Sequence, residues 1–174
     1  MIYQPAEDSY LIEKQIKKYA KNKSVLDMGS GSGILAKSAI KNKALSVLAV
    51  DINPEAVKHL KKNNIPCVKS NLFSNIKEKF DLIMFNPPYL PRDKREDKQS
   101  QLATTGGKKG DEIILKFLKQ VKKHLNKKGK ILLLLSSLTP KDKILFLLKN
   151  QNLKHKKIAE EKLFMESLEV WEIS

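Results

Sequence analysis

At 174 residues the chain can bury a substantial core and is read as one domain, residues 1–174. An apolar run such as Ile131–Leu135 is far too short to span a bilayer, the opening is polar rather than leader-like, and the one cysteine, Cys67, excludes an internal disulfide or a cysteine-ligated zinc. Lysine and arginine outnumber the acids 34 to 19, a net charge of +15 that suits approach to nucleic acid or nucleoprotein.

Glu7 to Ala20 reads as a helix, with Tyr10, Leu11, Ile16 and Tyr19 spaced between lysines. Ser24-Val25-Leu26-Asp27-Met28 reads as a short strand. Gly29-Ser30-Gly31-Ser32-Gly33 follows at once, then a helical pattern near 33–42. Strand, glycine turn and helix N-terminus make a nucleotide cradle, because glycine lets the backbone approach a ligand closely. The spacing is Gly-x-Gly-x-Gly, not the Gly-x-Gly-x-x-Gly of dinucleotide sites. A second strand near 45–51 ends in Asp51, placed to accept hydrogen bonds from both hydroxyls of a ribose. Asn53-Pro54 supplies the cap and first turn of a helix near 54–64, which leaves Asp51 free for a ligand. A third strand is expected near 65–69.

Phe80-Asp81-Leu82-Ile83-Met84-Phe85 reads as a buried strand within 80–86, and Asn86-Pro87-Pro88-Tyr89 follows it. Two prolines cannot continue a ladder, so the backbone turns out of the sheet. An amide, stiff backbone carbonyls and an aromatic ring therefore gather at a strand's C-terminal end, where open α/β sheets bind ligands. The group suits gripping a planar amino or amide nitrogen while its lone pair is aimed at an electrophile. Pro91 to Gly110 is polar and glycine-bearing, and a loop of this length beside Tyr89 is expected to be a substrate-side flap. Its Arg92, Lys94 and Arg95 are matched by Asp93, Glu96 and Asp97, which weakens any reading as an anion site.

A helix is expected near 110–124, a turn at Gly129 leads into a strand at 130–136, and Thr139-Pro140 caps a helix near 140–150. The tail, 154–163 and 167–173, reads as two more strands. Strands alternating with helices argue for an α/β fold, a parallel sheet wrapped by helices. His59, His124 and His155 sit among lysines without ligand spacing, so no metal is expected. Trp171 and Phe164 read as core, and Cys67 as a small buried or edge-strand residue. The lysine pairs Lys17-Lys18, Lys61-Lys62, Lys122-Lys123 and Lys156-Lys157 are spread along the chain, mostly on expected helices, as solvated faces are. Nucleic acid is therefore kept as a partner but not favoured, no membrane partner is expected, and a reducing cytoplasm is the expected compartment.

Asp27-x-Gly-x-Gly-x-Gly33, Asp51 and Asn86-Pro-Pro-Tyr89 together resemble the S-adenosylmethionine-dependent methyltransferases of the Rossmann-like class. Within them the chain resembles the glutamine N5-methyltransferases of peptide-chain release factors, in their short archaeal and eukaryotic branch. Tyr3-Gln4-Pro5-Ala6-Glu7-Asp8-Ser9, Asp51-Ile52-Asn53-Pro54-Glu55-Ala56 and Gly106-Gly107-Lys108-Lys109-Gly110 carry the narrower likeness. It implies a three-layer α/β/α sandwich, with a mostly parallel seven-stranded sheet closed by a C-terminal antiparallel hairpin. It also implies S-adenosylmethionine as cofactor and a class-one release factor as substrate, methylated on the glutamine of its Gly-Gly-Gln loop. A small zinc-binding, Trm112-like activator protein is implied as heterodimer partner, added at the sheet edge near Ile65-Pro66-Cys67-Val68.

By the same resemblance Asn86 and Pro87 accept the substrate amide's N–H bonds, Asn86 also borders the cofactor, Tyr89 packs on the amide plane, and Pro88 completes the substrate-binding turn. Gly29, Gly31 and Gly33 pass the methionine and ribose portions of the cofactor. Asp27 holds the methionine-side polar groups, directly or through water, with a bond to the glycine turn's own amides as its bland role. Ser9 lies near the methionine end or caps the first helix. Asn71 stands where the family usually has an aspartate facing the adenine amino group, and Leu72 lines the adenine pocket. The competing readings are methylation of nucleic-acid amino groups or of protein lysine, and a scaffold without catalysis.

Overall fold

The computed structural model describes residues 2–91 and 104–174. Five parallel strands, β1 (Ser24–Met28), β2 (Ser46–Asp51), β3 (Cys67–Lys69), β4 (Phe80–Phe85) and β7 (Leu125–Ser136), are joined by the antiparallel pair β8 (His155–Lys162) and β9 (Ser167–Ile173). The sheet order is β3-β2-β1-β4-β7-β9-β8. The chain runs outward from β1 through β2 to β3, then returns to the other side of β1 to lay down β4. That reversal opens a crevice beyond the C-terminal ends of β1 and β4.

Strands covered on both faces read as near-continuous apolar runs, and the central ones do, with Asp27 in β1, Asp81 in β4 and the polar start of β7 among the exceptions. Ile131, Leu133 and Leu135 of β7 enter one core cluster, and Leu132 and Leu134 enter the other. The first cluster packs under α4 (Glu112–Val121) and α5 (Asp142–Asn150). The second packs under α1 (Glu7–Ile16), α2 (Ile34–Lys41) and α3 (Pro54–Lys62). Phe117 of α4 is fully buried, with ring centroids 5.5 Å from Phe73 and 4.6 Å from Phe85. Truncating such a ring to alanine costs about 3–5 kcal/mol.

The strand starts are tied by one carboxylate. Asp81 accepts from the Ser24 backbone N–H and from Ser24 Oγ, both at 2.9 Å, and from Asn126 Nδ2 at 2.9 Å. These donors hold its carboxyl below the usual aspartate range.

Several boundaries differ from expectation. α1 ends at Ile16, where Tyr19 and Ala20 fold back onto the Ile16 carbonyl and the Tyr19 hydroxyl reaches Glu172 at 2.6 Å. β7 starts earlier, at Leu125, but the register jumps from Phe80↔Leu125 to Leu82↔Lys130. The turn expected at Gly129 is therefore a bulge within a longer strand. A Cβ at Gly129 would lie 2.8 Å from Leu125 Cγ, so only glycine lets the bulge close. α5 starts at Asp142 rather than at Pro140, and neither Thr139 nor the N-cap Lys141 gives a side-chain cap.

Phe164 is not core. It is 99% exposed at the tip of the β8–β9 hairpin, beyond the reach of either helix layer, whereas Trp171 on β9 is buried. His155 is exposed and stacks on Trp171, while His124 is half-buried against Phe73.

Candidate active site

The glycine turn closes the C-terminal end of β1. Gly29, Gly31 and Gly33 all have positive φ, 65°, 50° and 78°. Their surroundings separate their roles. A Cβ at Gly33 would meet Leu60 Cδ2 at 2.7 Å and Ile65 Cδ1 at 2.9 Å, so this glycine serves the packing of α2 on α3 and does not line the cleft. A Cβ at Gly31 would meet nothing nearer than 4.0 Å, and the open space above it belongs to a cavity of about 350 Å³. Gly29 also lines that cavity, against the edge of Phe85.

Asp51 is not left free. Oδ2 accepts from Gly31 N at 2.8 Å and Oδ1 from Asn53 N at 2.8 Å, so its carboxylate fastens the glycine turn to the start of α3. A carboxylate offers about four acceptor sites. Two are spent here, and the rest remain available on the cavity wall. Asn53 caps α3 as expected, accepting from Glu55 N.

Asp27 lies beneath the cavity instead of in it. It is fully buried, Oδ2 accepts from Ala36 N at 3.0 Å, and Oδ1 has no partner among the described residues. Burial pushes its pKa up to about 7 against the lowering effect of the Ala36 bond. Asp27 therefore anchors the first turn of α2. The expected contact with methionine-side groups would need an intervening atom.

The Asn-Pro-Pro-Tyr turn leaves β4 at Asn86 and is seated by the glycine loop. A Cβ at Gly106 would fall 2.7 Å from the Pro88 carbonyl, and one at Gly110 2.3 Å from the Tyr89 carbonyl. Two short strands, β5 (Leu90–Pro91) and β6 (Thr105–Gly107), pair in parallel there. The expected flap falls largely on residues 92–103, outside the described residues, as do Arg92 and Lys94 to Asp97.

Asn86 itself is oriented by Asp8, to which sequence reasoning gave no role, together with Ser9, to which it did. Its Nδ2 donates to Asp8 Oδ2 at 3.2 Å and to Ser9 Oγ at 3.4 Å. A carboxylate can only accept, so the NH2 half of the amide faces Asp8. The opposite atom, Oδ1, is buried and has no hydrogen-bond partner among the described residues. Asp8 also accepts from the Tyr3 hydroxyl at 2.9 Å and from Ser9 Oγ at 3.1 Å. Burial first, then the charge and hydrogen bond of Asp8, raise the Tyr3 phenol well above its ordinary range. Tyr89 is half-buried on the cleft wall and its phenol is raised likewise, by burial and then by the charges of Asp8, Glu166 and Glu7.

Asp8 and Tyr3 belong to the N-terminal stretch that carried the narrower resemblance. Their signal was an acid on the apolar face of α1's first turn. Ser9 is no cap, since α1 begins at Glu7 after an Ala6 N-cap, and Ser9 is buried inside the first turn. Asn71 and Leu72 line the far end of the cavity, Asn71 exposed and Leu72 held at φ 50°. Asn86, Pro87, Pro88, Tyr89, Ser9, Gly29, Gly31, Asp51, Asn71 and Leu72 thus share one cavity wall, from which Asp27 and Gly33 are set back.

Sheet order, glycine cradle and amide-bearing turn define a Rossmann-like methyltransferase. Residues 7–165 match the family model described as methyltransferase small domain, and the chain belongs to that family. MJ0928 of Methanocaldococcus jannaschii, described as a protein N5-glutamine methyltransferase, is 43% identical over 146 residues, covering 79% of this chain and 74% of that one. A release factor glutamine methyltransferase of Streptococcus pneumoniae is 34% identical over 126 residues, covering 64% of this chain and only 45% of the longer relative. Among solved structures, the Mtq2–Trm112 complex of E. cuniculi, which methylates the termination factor eRF1, superposes with a TM-score of 0.82 at 23% identity, over 99% of this chain and 98% of that one.

The methyl donor is S-adenosylmethionine, and the cavity suits it. The space over Gly31, the spare acceptor sites of Asp51 and the apolar wall of Leu72 and Ile113 match its chain, ribose and base.

Proposed function

We propose that this protein methylates the side-chain amide nitrogen of a protein glutamine, and that its substrate is the Gly-Gly-Gln loop of a peptide-chain release factor. The observation that carries this reading is the orientation of Asn86. Its NH2 is turned onto Asp8 and its Oδ1 is left as a buried acceptor without a partner. Such an acceptor costs about 1–3 kcal/mol when unsatisfied, a cost removed when a substrate N–H binds. The protein N5-glutamine description of MJ0928 supports the same substrate class.

Bound S-adenosylmethionine supplies a methyl group already activated on a positive sulfur, so the protein's task is alignment. The attacking nitrogen must lie in line at roughly 3 Å. Asn86 Oδ1 and the Pro87 carbonyl take its two N–H bonds, which favours lone-pair character on nitrogen and stabilises the positive charge that develops there. Tyr89 covers the flat face of the amide. No histidine is found among the described residues lining the cavity, and none is needed, because the cationic amide gives up its proton to water.

β3 is the outermost strand on its side, three residues long, and presents an unpaired edge. That edge is the place where a small zinc-binding activator would add a strand and make a heterodimer. A one-to-one complex on gel filtration supports this, and two independently eluting monomers oppose it. No helix among the described residues is long and apolar enough to cross a membrane. The proposed substrate, a translation factor, puts the proposed site of action in the cytoplasm.

The test is a labelled-methyl transfer assay with a class-one release factor, its Gln→Ala variant in the Gly-Gly-Gln loop, and total RNA. Label on the unmodified factor alone is expected, and Asn86→Ala should abolish it while leaving cofactor binding intact. Label on RNA, or equal label on the variant factor, would transfer the assignment to nucleic-acid or other protein targets.

A further inference from the structure

We propose that the pole of the sheet opposite the reactive cleft is a docking surface for structured RNA. Parallel strands joined through helices return every helix-to-strand loop to the same end of the sheet, so residues distant in sequence meet there. Lys21 and Lys23 precede β1, Lys43 precedes β2, and Lys77 and Lys79 precede β4, all exposed. Exposed Lys127 and Lys128 project from the bulge that opens β7, and exposed Lys154 enters β8.

Hydrogen bonds join these segments into one surface. Asn22 N donates to the Lys43 carbonyl at 2.9 Å, Asp81 ties Ser24 to Asn126, and His124 Nδ1 lies 3.0 Å from the Glu78 carbonyl. From β2 to β8 the surface spans five strand spacings, about 24 Å, room for several phosphates.

The surface carries little opposing charge. Asp81 is occupied by its backbone and amide donors, Glu78 stands between two lysines, and Glu172 is buried against Tyr19 and Lys130. None of the eight lysines named above enters a recorded ion pair among the described residues. Lysines in the last turns of helices are explained by the helix dipole, so the inference rests on the loop lysines alone. The aromatic rings of these loops are already engaged, Tyr19 by Glu172 and Lys130 and Phe73 by burial in the core, whereas the exposed Phe164 lies at the opposite end. Leu45, beside Lys43, is exposed as well, but eight exposed lysines dominate this pole, and a lysine field of this kind is the footprint of phosphate-backbone binding. The choice of RNA over DNA rests on the functional reading above, since a termination factor is met on the ribosome; the lysine field does not rest on it.

The experiment compares the wild type with a pole variant, Lys23→Gln, Lys43→Gln, Lys79→Gln and Lys128→Gln combined. A control carries Lys37→Gln, Lys58→Gln, Lys143→Gln and Lys162→Gln, an equal change of charge elsewhere. Anisotropy of a labelled RNA duplex is followed from roughly 50 to 200 mM salt, with a DNA duplex and phosphatidylserine vesicles as parallel probes. The pole variant should lose at least about tenfold in RNA affinity and reduce the salt slope by about 3. The control should bind as the wild type does, and both should retain cofactor binding, which also certifies their folding. Equal losses in both variants, no wild-type binding near physiological salt, or preference for DNA or vesicles would each overturn the proposal. Methyl transfer is read separately, so failure here leaves the glutamine assignment standing, and failure there leaves the lysine surface standing.

Discussion

Replacing Asp8 by asparagine tests how the reactive amide is held. Asp8 presents an acceptor-only carboxylate to Asn86 Nδ2 at 3.2 Å and to the Tyr3 hydroxyl at 2.9 Å. Asparagine keeps the volume but offers an NH2 as well as an oxygen, so the Asn86 amide loses the group that dictates which half faces the cleft. A hydrogen bond to a charged partner is worth about 1.5–3 kcal/mol, and at 1.4 kcal/mol per decade this predicts a loss of about 10- to 150-fold in kcat. The loss should fall on kcat, because Oδ1 acts on the substrate nitrogen and not on the cofactor. Steady-state methyl transfer gives kcat, and calorimetric titration with S-adenosylhomocysteine gives cofactor affinity. Tyr3→Phe, which leaves the carboxylate in place, should lose only a few-fold. An Asp8→Asn enzyme with wild-type kcat, or one whose whole defect lies in cofactor affinity, would refute the orienting role.

The glycine turn yields a paired prediction. Gly33→Ala drives a methyl into Leu60 and Ile65 and should lower stability by about 1–3 kcal/mol in denaturant unfolding. Gly31→Ala, whose methyl meets only Tyr3 at van der Waals distance, carries the strain of its positive φ without a clash and should lower stability less while weakening cofactor binding. Asp27, raised to about 7 by burial, binds its proton more tightly folded than unfolded, so its contribution to stability is present at low pH and is lost as pH rises from about 4 to about 7. Asp81 and Glu172, both held low, act with the opposite sign, so the difference between wild type and Asp27→Asn in melting from pH 4 to 8 isolates the Asp27 contribution. For Glu172, the Tyr19 and Lys130 bonds outweigh burial. Phe117→Ala should cost about 3–5 kcal/mol by chemical denaturation without changing cofactor contacts, since Phe117 does not line the cleft.

Much of this molecule was legible in the order of its residues. The mostly apolar runs near 24–28, 45–51, 80–86 and 130–136 announced buried strands because such runs pack on both faces of a sheet, and Asn86-Pro87-Pro88-Tyr89 announced the exit of the 80–86 run because proline cannot continue a ladder. Local chemistry decided these, so local sequence revealed them. Phe164 looked like core because its apolar character says nothing of which layer covers it, and only the hairpin's projection past the helices decided that. The bulge at Gly129 was hidden because it depends on the partner register of β4.

Tertiary structure alone joined Asp8 to Asn86, 78 positions apart, and so turned a conspicuous amide into an oriented acceptor. It set Asp27 beneath the cleft while Asp51 stayed on its wall, although both carboxylates lie at or next to the C-terminal end of a strand. It also gathered scattered lysines onto one pole. Along the chain they looked like evenly solvated charge, because the spacing of residues in sequence carries no record of which loops a parallel sheet returns to the same end.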